Sequence, residues 1–297
     1  MSDKDIVINN IDAGKSFNWG KTSKDYAKYR DIYPEEFYQY IINLGLCKDG
    51  QKCLDIGTGT GVLPRNMYKY GAEWTGTDIS ENQINEAKEL ANEAGMNIDF
   101  YICDAKDVNV NNASLDVITA CQCIWYLNHG ITAPKFAKFL KDDGSFLILY
   151  MGWLPFEDEI AGKSEELILK YNPKWTGCGD TVHPVWVPEE YLDYFKIEKQ
   201  EEFRVDIPFT RDSWNGRMRA CRGTSASMTS ETFADWENEH VKMLEEYPEK
   251  FLIKHYISIA WLKKRNSYLA VKQSGDMKHI GTSMFETERL YWSKVLG

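Results

Sequence analysis

From residue 50 onward, short apolar runs alternate with amphipathic ones. "KCLDIG" is a short apolar strand ending in an acid, and "GVLPRNMYKYG" then sets Val62, Leu63, Met67 and Tyr70 on one side of a helix. Pro64 is tolerated in that helix's first turn and Gly71 stops it. "EWTGTD" reads as a second strand. The helix over "SENQINEAKELANEAG" has Ser80 and Gln83 as a capping box, an inner stripe of Ile84, Ala87, Leu90, Ala91 and Ala94, and Gly95 as its close. "IDFYIC" and "LDVITAC" are further strands, "APKFAKFLKDDG" is a helix ended by Gly144, and "SFLILYM" is a fifth strand. Strands and helices alternating at this spacing predict a parallel sheet with helices on both faces, so residues 50–150 form an α/β unit.

The flanks follow other rhythms. Residues 1–15 read as a loose polar leader, and "KTSKDYAKYRDIYPEEFYQYIINLGL" as helical material broken near Pro34. Beyond residue 152 comes a stretch with Trp153, Trp175, Trp186 and Trp214. "FRVDIPF" is a candidate strand, "SETFADWENEHVKMLEEYP" a helix and "FLIKHYISIAWLKK" a long strand. Residues 265–297 are weakly patterned, with helical character near "MFETERLYWSKVL".

Charge removes some functions from consideration. A net charge of -10 over 297 residues, with a pI of about 5.1, leaves no basic field for nucleic acid or an anionic membrane. No apolar run approaches the roughly 20 residues that span a bilayer, and the first residues do not read as a signal peptide. Seven cysteines, with Cys121 and Cys123 one residue apart, follow no metal or redox spacing. They read as reduced thiols of a cytoplasmic protein, and no metal site is expected.

The chemistry gathers at Gly57-Thr58-Gly59-Thr60-Gly61, between the first strand and the first helix. In an open α/β sheet, ligands bind beyond the carboxyl ends of the strands. The dinucleotide fingerprint G-x-G-x-x-G would need a glycine where Val62 stands. Asp55, two residues before the first glycine, also suits a pyrophosphate poorly, since both are anionic. A carboxylate there is better suited to orienting a loop that receives an ammonium- and sulfonium-bearing ligand, which favours S-adenosylmethionine over NAD.

"CLDIGTGTG" resembles motif I of the class I S-adenosylmethionine-dependent methyltransferases, and the resemblance runs through about residues 15–150. It implies a Rossmann-like fold: a central, mostly parallel seven-stranded sheet, its last pair antiparallel, with helices on both faces and helical lid additions. The implied division is a helical lid over 1–45, a cofactor-binding core over 46–152, the rest of the sheet with substrate-cap insertions over 153–264, and an extension over 265–297. By the same resemblance Asp78 accepts both ribose hydroxyls, Ile79 packs on the adenine, and Asp104 and Ala105 hold the adenine amino group and ring. Gln122 would lie near the methionine portion and the methyl group. "KDYAKYRDIYP" is similar to the Y-x-x-Y-R-x-x-Y-P lead-in of the small-molecule branch, which implies that Tyr26, Tyr29 and Arg30 close over the cofactor, Arg30 on its carboxylate. Plainer roles stand beside these. Asp78 fits a helix N-terminal carboxylate beside Ser80, Asp104 a turn residue, Arg30 a surface partner of Glu35 or Glu36, and Trp19 and Tyr29 ordinary core aromatics.

Methyl transfer from a sulfonium mainly requires alignment and exclusion of water, so no obvious catalytic group need be present. The fourth-strand end "QCIWYLN" lacks the D/N-P-P-Y/F turn of methyltransferases acting on amino groups of DNA and of glutamine side chains. It is similar to "Q-A-x-H-W-F-D" of small-molecule enzymes such as trans-aconitate methyltransferase. Trp125 replaces the histidine and Asn128 the aspartate, so no histidine mechanism carries over. The reading is a small-molecule methyltransferase with S-adenosylmethionine as cofactor, S-adenosylhomocysteine as product, and neither nucleic acid nor membrane as partner. Candidate substrate residues are Tyr126, Trp153, His183, Trp186 and Arg217, together with Tyr26. His183 is a base or a structural loop histidine. The arginines of "TRDSWNGRMRACR" either clasp an anionic substrate or form a solvated helix face. The tryptophans line an aromatic pocket, cage a cation or fill the core. The alternatives are a cofactor-binding sensor or partner subunit without catalysis, and a nicotinamide-dependent oxidoreductase.

Overall fold

The computed structural model describes residues 5–265; the expected helix near "MFETERLYWSKVL" lies outside them. Seven strands run as β1 Lys52–Ile56, β2 Glu73–Asp78, β3 Asp99–Ile102, β4 Leu115–Cys121, β5 Leu140–Trp153, β6 Phe195–Thr210 and β7 Lys250–Lys264. They form one sheet of order β3-β2-β1-β4-β5-β7-β6. β1 to β5 pair in parallel, while β7 runs antiparallel to both β5 and β6. Helices are α1 Ser23–Tyr29, α2 Glu35–Asn43, α3 Val62–Met67, α4 Glu81–Glu93, α5 His129–Phe139, α6 Glu159–Tyr171, α7 Glu189–Leu192, α8 Arg211–Arg219 and α9 Ser230–Leu244.

The central strands are apolar on both faces because both are covered. On β5, Phe146 and Ile148 join the cluster containing Phe136 of α5. The alternate residues Leu147, Leu149 and Met151 join the opposite one, with Phe37 of α2, Met67 of α3 and Ile168 of α6. Each such side chain, fully withdrawn from water, contributes about 1.5–3 kcal/mol.

Several sequence expectations need correcting. The segment from residue 5 to 15 is not a loose leader: Ile6 bridges Phe17, and Asp12, fully buried, pairs with Arg222. The fifth helix begins at His129 and ends at Phe139, carrying Pro134 inside it, and the chain is already strand at Leu140, before Gly144. At α4, Ser80 Oγ accepts the Gln83 backbone N–H (3.2 Å), but the reciprocal half of the capping box is absent. Gln83 Nε2 donates instead to the Trp19 carbonyl, and Asp78 Oδ1 takes the Ser80 N–H.

Candidate functional site

β1 and β4 are neighbours, yet the chain leaves β1 toward β2 on one side and β4 toward β5 on the other. Their carboxyl ends therefore flank a crevice at the point where strand order reverses. The glycine loop enters it from β1, Asp78 from β2, Asp104 from beyond β3 and Gln122 from β4. The three loop glycines all hold positive φ, at 62°, 56° and 72°. A Cβ on Gly57 would stand 2.8 Å from Cys123 Cβ, and one on Gly61 2.7 Å from Phe100 Cζ, so the chain's own packing demands both glycines. Gly59 has more room, its nearest neighbour being the Tyr26 ring at 3.4 Å.

Asp78 ties the loop to the start of α4: Oδ2 accepts from Gly59 N–H and Oδ1 from Ser80 N–H, each at 2.9 Å. Ile79 beside it is 50% exposed, an apolar surface on the crevice rim. Asp55 lies beneath the loop, 1% exposed, accepting from the Thr119 hydroxyl at 2.5 Å; burial pushes its pKa up to about 7. The turn reading of Asp104 has support, for its carboxylate takes Lys106's backbone N–H and ammonium. Ala105 is half-buried next to it. Gln122 holds φ 62° and donates to the Met151 carbonyl at 2.6 Å, joining the ends of β4 and β5. Thr58 is buried and donates its N–H to the Thr77 carbonyl. Gln83 Oε1 and Thr60 Oγ1 are buried without a hydrogen-bond partner among the described residues, and Gln83 Oε1 faces Gly59. An acceptor left unmet beside a loop glycine is a feature that a bound polar ligand relieves, so these residues fit a nucleoside-type cofactor.

Arg30 is not a partner of Glu35, which bonds Lys69, Tyr70 and Gln39 instead. Its guanidinium lies over the Tyr26 ring at 4.7 Å. Tyr29 turns away from the loop: buried, it donates to Asp212 and packs on Gly216 of α8, so it joins two helices. Tyr126 packs among Phe17, Trp19 and Trp125 and accepts from Arg222. Trp153 is buried, donates to Glu165 and lies under the Arg217 guanidinium at 4.8 Å. Trp186 is not brought to the crevice; it is 41% exposed, edge-on to His129 beside α5.

His183 faces two acceptors, the Pro184 carbonyl at Nδ1 and Asp180 at Nε2, so both ring nitrogens are donors and Asp180 raises its pKa. That geometry suits a structural cation better than a base. Sequence reasoning missed its organiser: Asp180 also accepts from Tyr150 (2.5 Å) and Tyr256 (3.0 Å), residues of β5 and β7. Nothing local to the "CGDTV" stretch signals this, because both tyrosines are remote in sequence. Among the described residues one surface cleft lies around Pro208 and Leu252 and another at the amino-terminal strand ends around Gln51 and Ser145. None of the residues singled out above lines either cleft. Among the described residues no cluster suits a metal ion, and no helix is long and apolar enough to cross a membrane.

A family model described as a methyltransferase domain matches residues 53–144, which span the loop, Asp78, Asp104 and Gln122. The ubiquinone biosynthesis O-methyltransferase of Aromatoleum aromaticum is 30% identical over 165 residues, covering 53% of this chain and 68% of that protein. The protein of the same description from Bartonella bacilliformis is 31% identical over 169 residues, covering 56% and 67%. The chain thus spans about two thirds of the length of these relatives. A solved structure from work on conversion of a disulfide bond into a thioacetal group during echinomycin biosynthesis superposes with a TM-score of 0.50. It covers 92% of this chain and 98% of its own at 13% identity, a likeness of fold alone.

Proposed function

The chain belongs to the class I S-adenosylmethionine-dependent methyltransferases, and from that premise we propose that it moves a methyl group to a small-molecule acceptor by in-line displacement. Bound S-adenosylmethionine supplies a methyl on a sulfonium, already activated as an electrophile. The residues that would hold the cofactor are the Gly57–Gly61 loop, Asp78 for the ribose hydroxyls, Ile79, Asp104 and Ala105 for the adenine, and Gln122 at its methionine end. Tyr26 and Arg30 would close over it. Asp78 accepts the Gly59 and Ser80 N–H groups, and a carboxylate offers about four lone-pair sites in all. Asp55 acts from below, positioning β1 against β4 through Thr119. The enzyme's part is to orient the acceptor and exclude water, with Tyr126 and Trp153 on the acceptor side. The acidic chain and its seven free thiols favour a small molecule handled in the reducing cytoplasm.

The reading rests chiefly on one observation: a loop glycine held at positive φ, an unmet buried acceptor and the Asp78 carboxylate meet at the strand-order reversal. Thermal melting with S-adenosylhomocysteine and with NAD tests it. At 100-fold excess over its dissociation constant, a ligand stabilises the fold by about 2.7 kcal/mol. S-adenosylhomocysteine should raise the melting temperature by roughly 4–5 °C. A shift with NAD alone overturns the reading, and binding without any labelled product from methyl-labelled donor and a metabolite extract would make the protein a sensor.

A further inference from the structure

Helix α8 and the turn after it carry Arg211, Arg217, Arg219 and Arg222, and three of them are answered within the chain. Arg211 donates to the Tyr247 carbonyl, Arg219 pairs with Asp25 and Glu237, and Arg222 pairs with Asp12. They are therefore no simple solvated helix face. Arg217 differs. It is 4% exposed, its Nε has no acceptor, and no carboxylate reaches it among the described residues. Among the described residues it donates from Nη1 to Cys221 Sγ (3.2 Å) and lies over the face of Trp153, with Tyr26 and Tyr33 nearby. Next to it stands a second guanidinium, Arg30, which likewise meets no carboxylate among the described residues; Tyr26 holds it through ring and hydroxyl, with Tyr33 and Cys221 nearby. Burial first, then the Arg30 charge, depress the Arg217 pKa to about 10.

Withdrawing a cation from water beside another cation opposes folding unless an anion joins them. The planar guanidinium fork matches carboxylate and phosphate oxygens and stays charged at physiological pH. S-adenosylmethionine carries one carboxylate, which falls to Arg30 on the reading above. Arg217 lies beyond it, over Trp153 at the end of β5, and Gln122 links the end of β4 to that strand. Resting on the methyltransferase reading, we propose that the methyl acceptor is a small anion and that Arg217 binds its carboxylate or phosphate group. A residue that serves a ligand at the expense of the empty fold leaves a particular signature: replacing it harms turnover without harming stability.

The test uses the full chain and its Arg217→Met and Arg217→Lys variants. Methyl-labelled S-adenosylmethionine is incubated with a small-molecule extract, and labelled product is separated by anion exchange at pH 7. The wild type should yield a labelled product that the exchanger retains. Arg217→Met should lower that labelling at least 30-fold and Arg217→Lys restore part of it. Arg217→Met should also bind S-adenosylhomocysteine within threefold of wild type and melt, unliganded, no lower than wild type. Phosphatase treatment of the extract separates the sources, since a phosphate acceptor disappears and a carboxylate acceptor persists. The proposal is overturned by a product the exchanger does not retain, by labelling with Arg217→Met within threefold of wild type, or by a tenfold loss of S-adenosylhomocysteine affinity, which would assign the guanidinium to the cofactor. It is equally overturned by a fall of more than 5 °C in the unliganded melting temperature, which would make Arg217 a structural residue. Failure of the wild type itself to bind S-adenosylhomocysteine would instead strike the methyltransferase reading.

Discussion

Asp78 is the residue whose replacement most directly tests the cofactor geometry. Its carboxylate stands at the end of β2 with both oxygens turned to the crevice wall, Oδ2 on Gly59 N–H and Oδ1 on Ser80 N–H. Two vicinal hydroxyls meeting this charged acceptor would each contribute about 1.5–3 kcal/mol. Asp78→Ala removes both, and it also releases the Gly59 N–H that shapes the loop. A loss of about 3 kcal/mol is a fair lower figure, which at about 1.4 kcal/mol per decade is roughly a 100-fold rise in the dissociation constant. Asp78→Asn keeps one acceptor oxygen and should lose about half as much. Calorimetric titration with S-adenosylhomocysteine measures both, with far-ultraviolet circular dichroism to show that the fold survives. A dissociation constant within threefold of wild type for Asp78→Ala would refute the ribose assignment and leave Asp78 as a helix N-terminal carboxylate.

Other expectations follow from the same geometry. Arg222→Met strands Asp12, which is 0% exposed, and should cost about 3–5 kcal/mol in urea unfolding, the opposite of what Arg217→Met should do. Gly61→Ala meets the Phe100 ring and a φ of 72°, so it should lose about 2–4 kcal/mol, seen in the same assay. The Asp55 pKa, raised to about 7, stands above an unfolded value of about 3.9. Its contribution is therefore complete below about pH 4 and is lost as pH rises through about 7. Asp55→Asn should accordingly gain in melting temperature relative to wild type between pH 5 and pH 8, and a constant difference would contradict this. His240 runs the other way: burial lowers its pKa to about 3, so its contribution is present above about pH 6.5 and lost as pH falls toward 3. His240→Gln should flatten that acid limb in a melting series.

What the amino-acid order determined alone is whatever short-range chemistry dictates. The alternation over 50–150 placed the strands of the parallel half, because side-chain periodicity is set within one element. The run of glycines with Asp55, Asp78 and Asp104 marked the crevice, since these residues sit at strand ends and turns that are themselves local. Tertiary structure decided the rest. A leader rich in polar residues became a packed segment because Asp12 finds Arg222, 210 positions away. The fifth strand began at Leu140 because pairing with Leu115 of β4 outweighed the local helical pattern. Tyr29 left the crevice for α8, where Gly216 makes room for its ring. Which arginine meets an acid, and which is left waiting for one, depends on helices brought together from distant parts of the chain. Local periodicity carries no record of such meetings, because charge is answered in space and not along the chain.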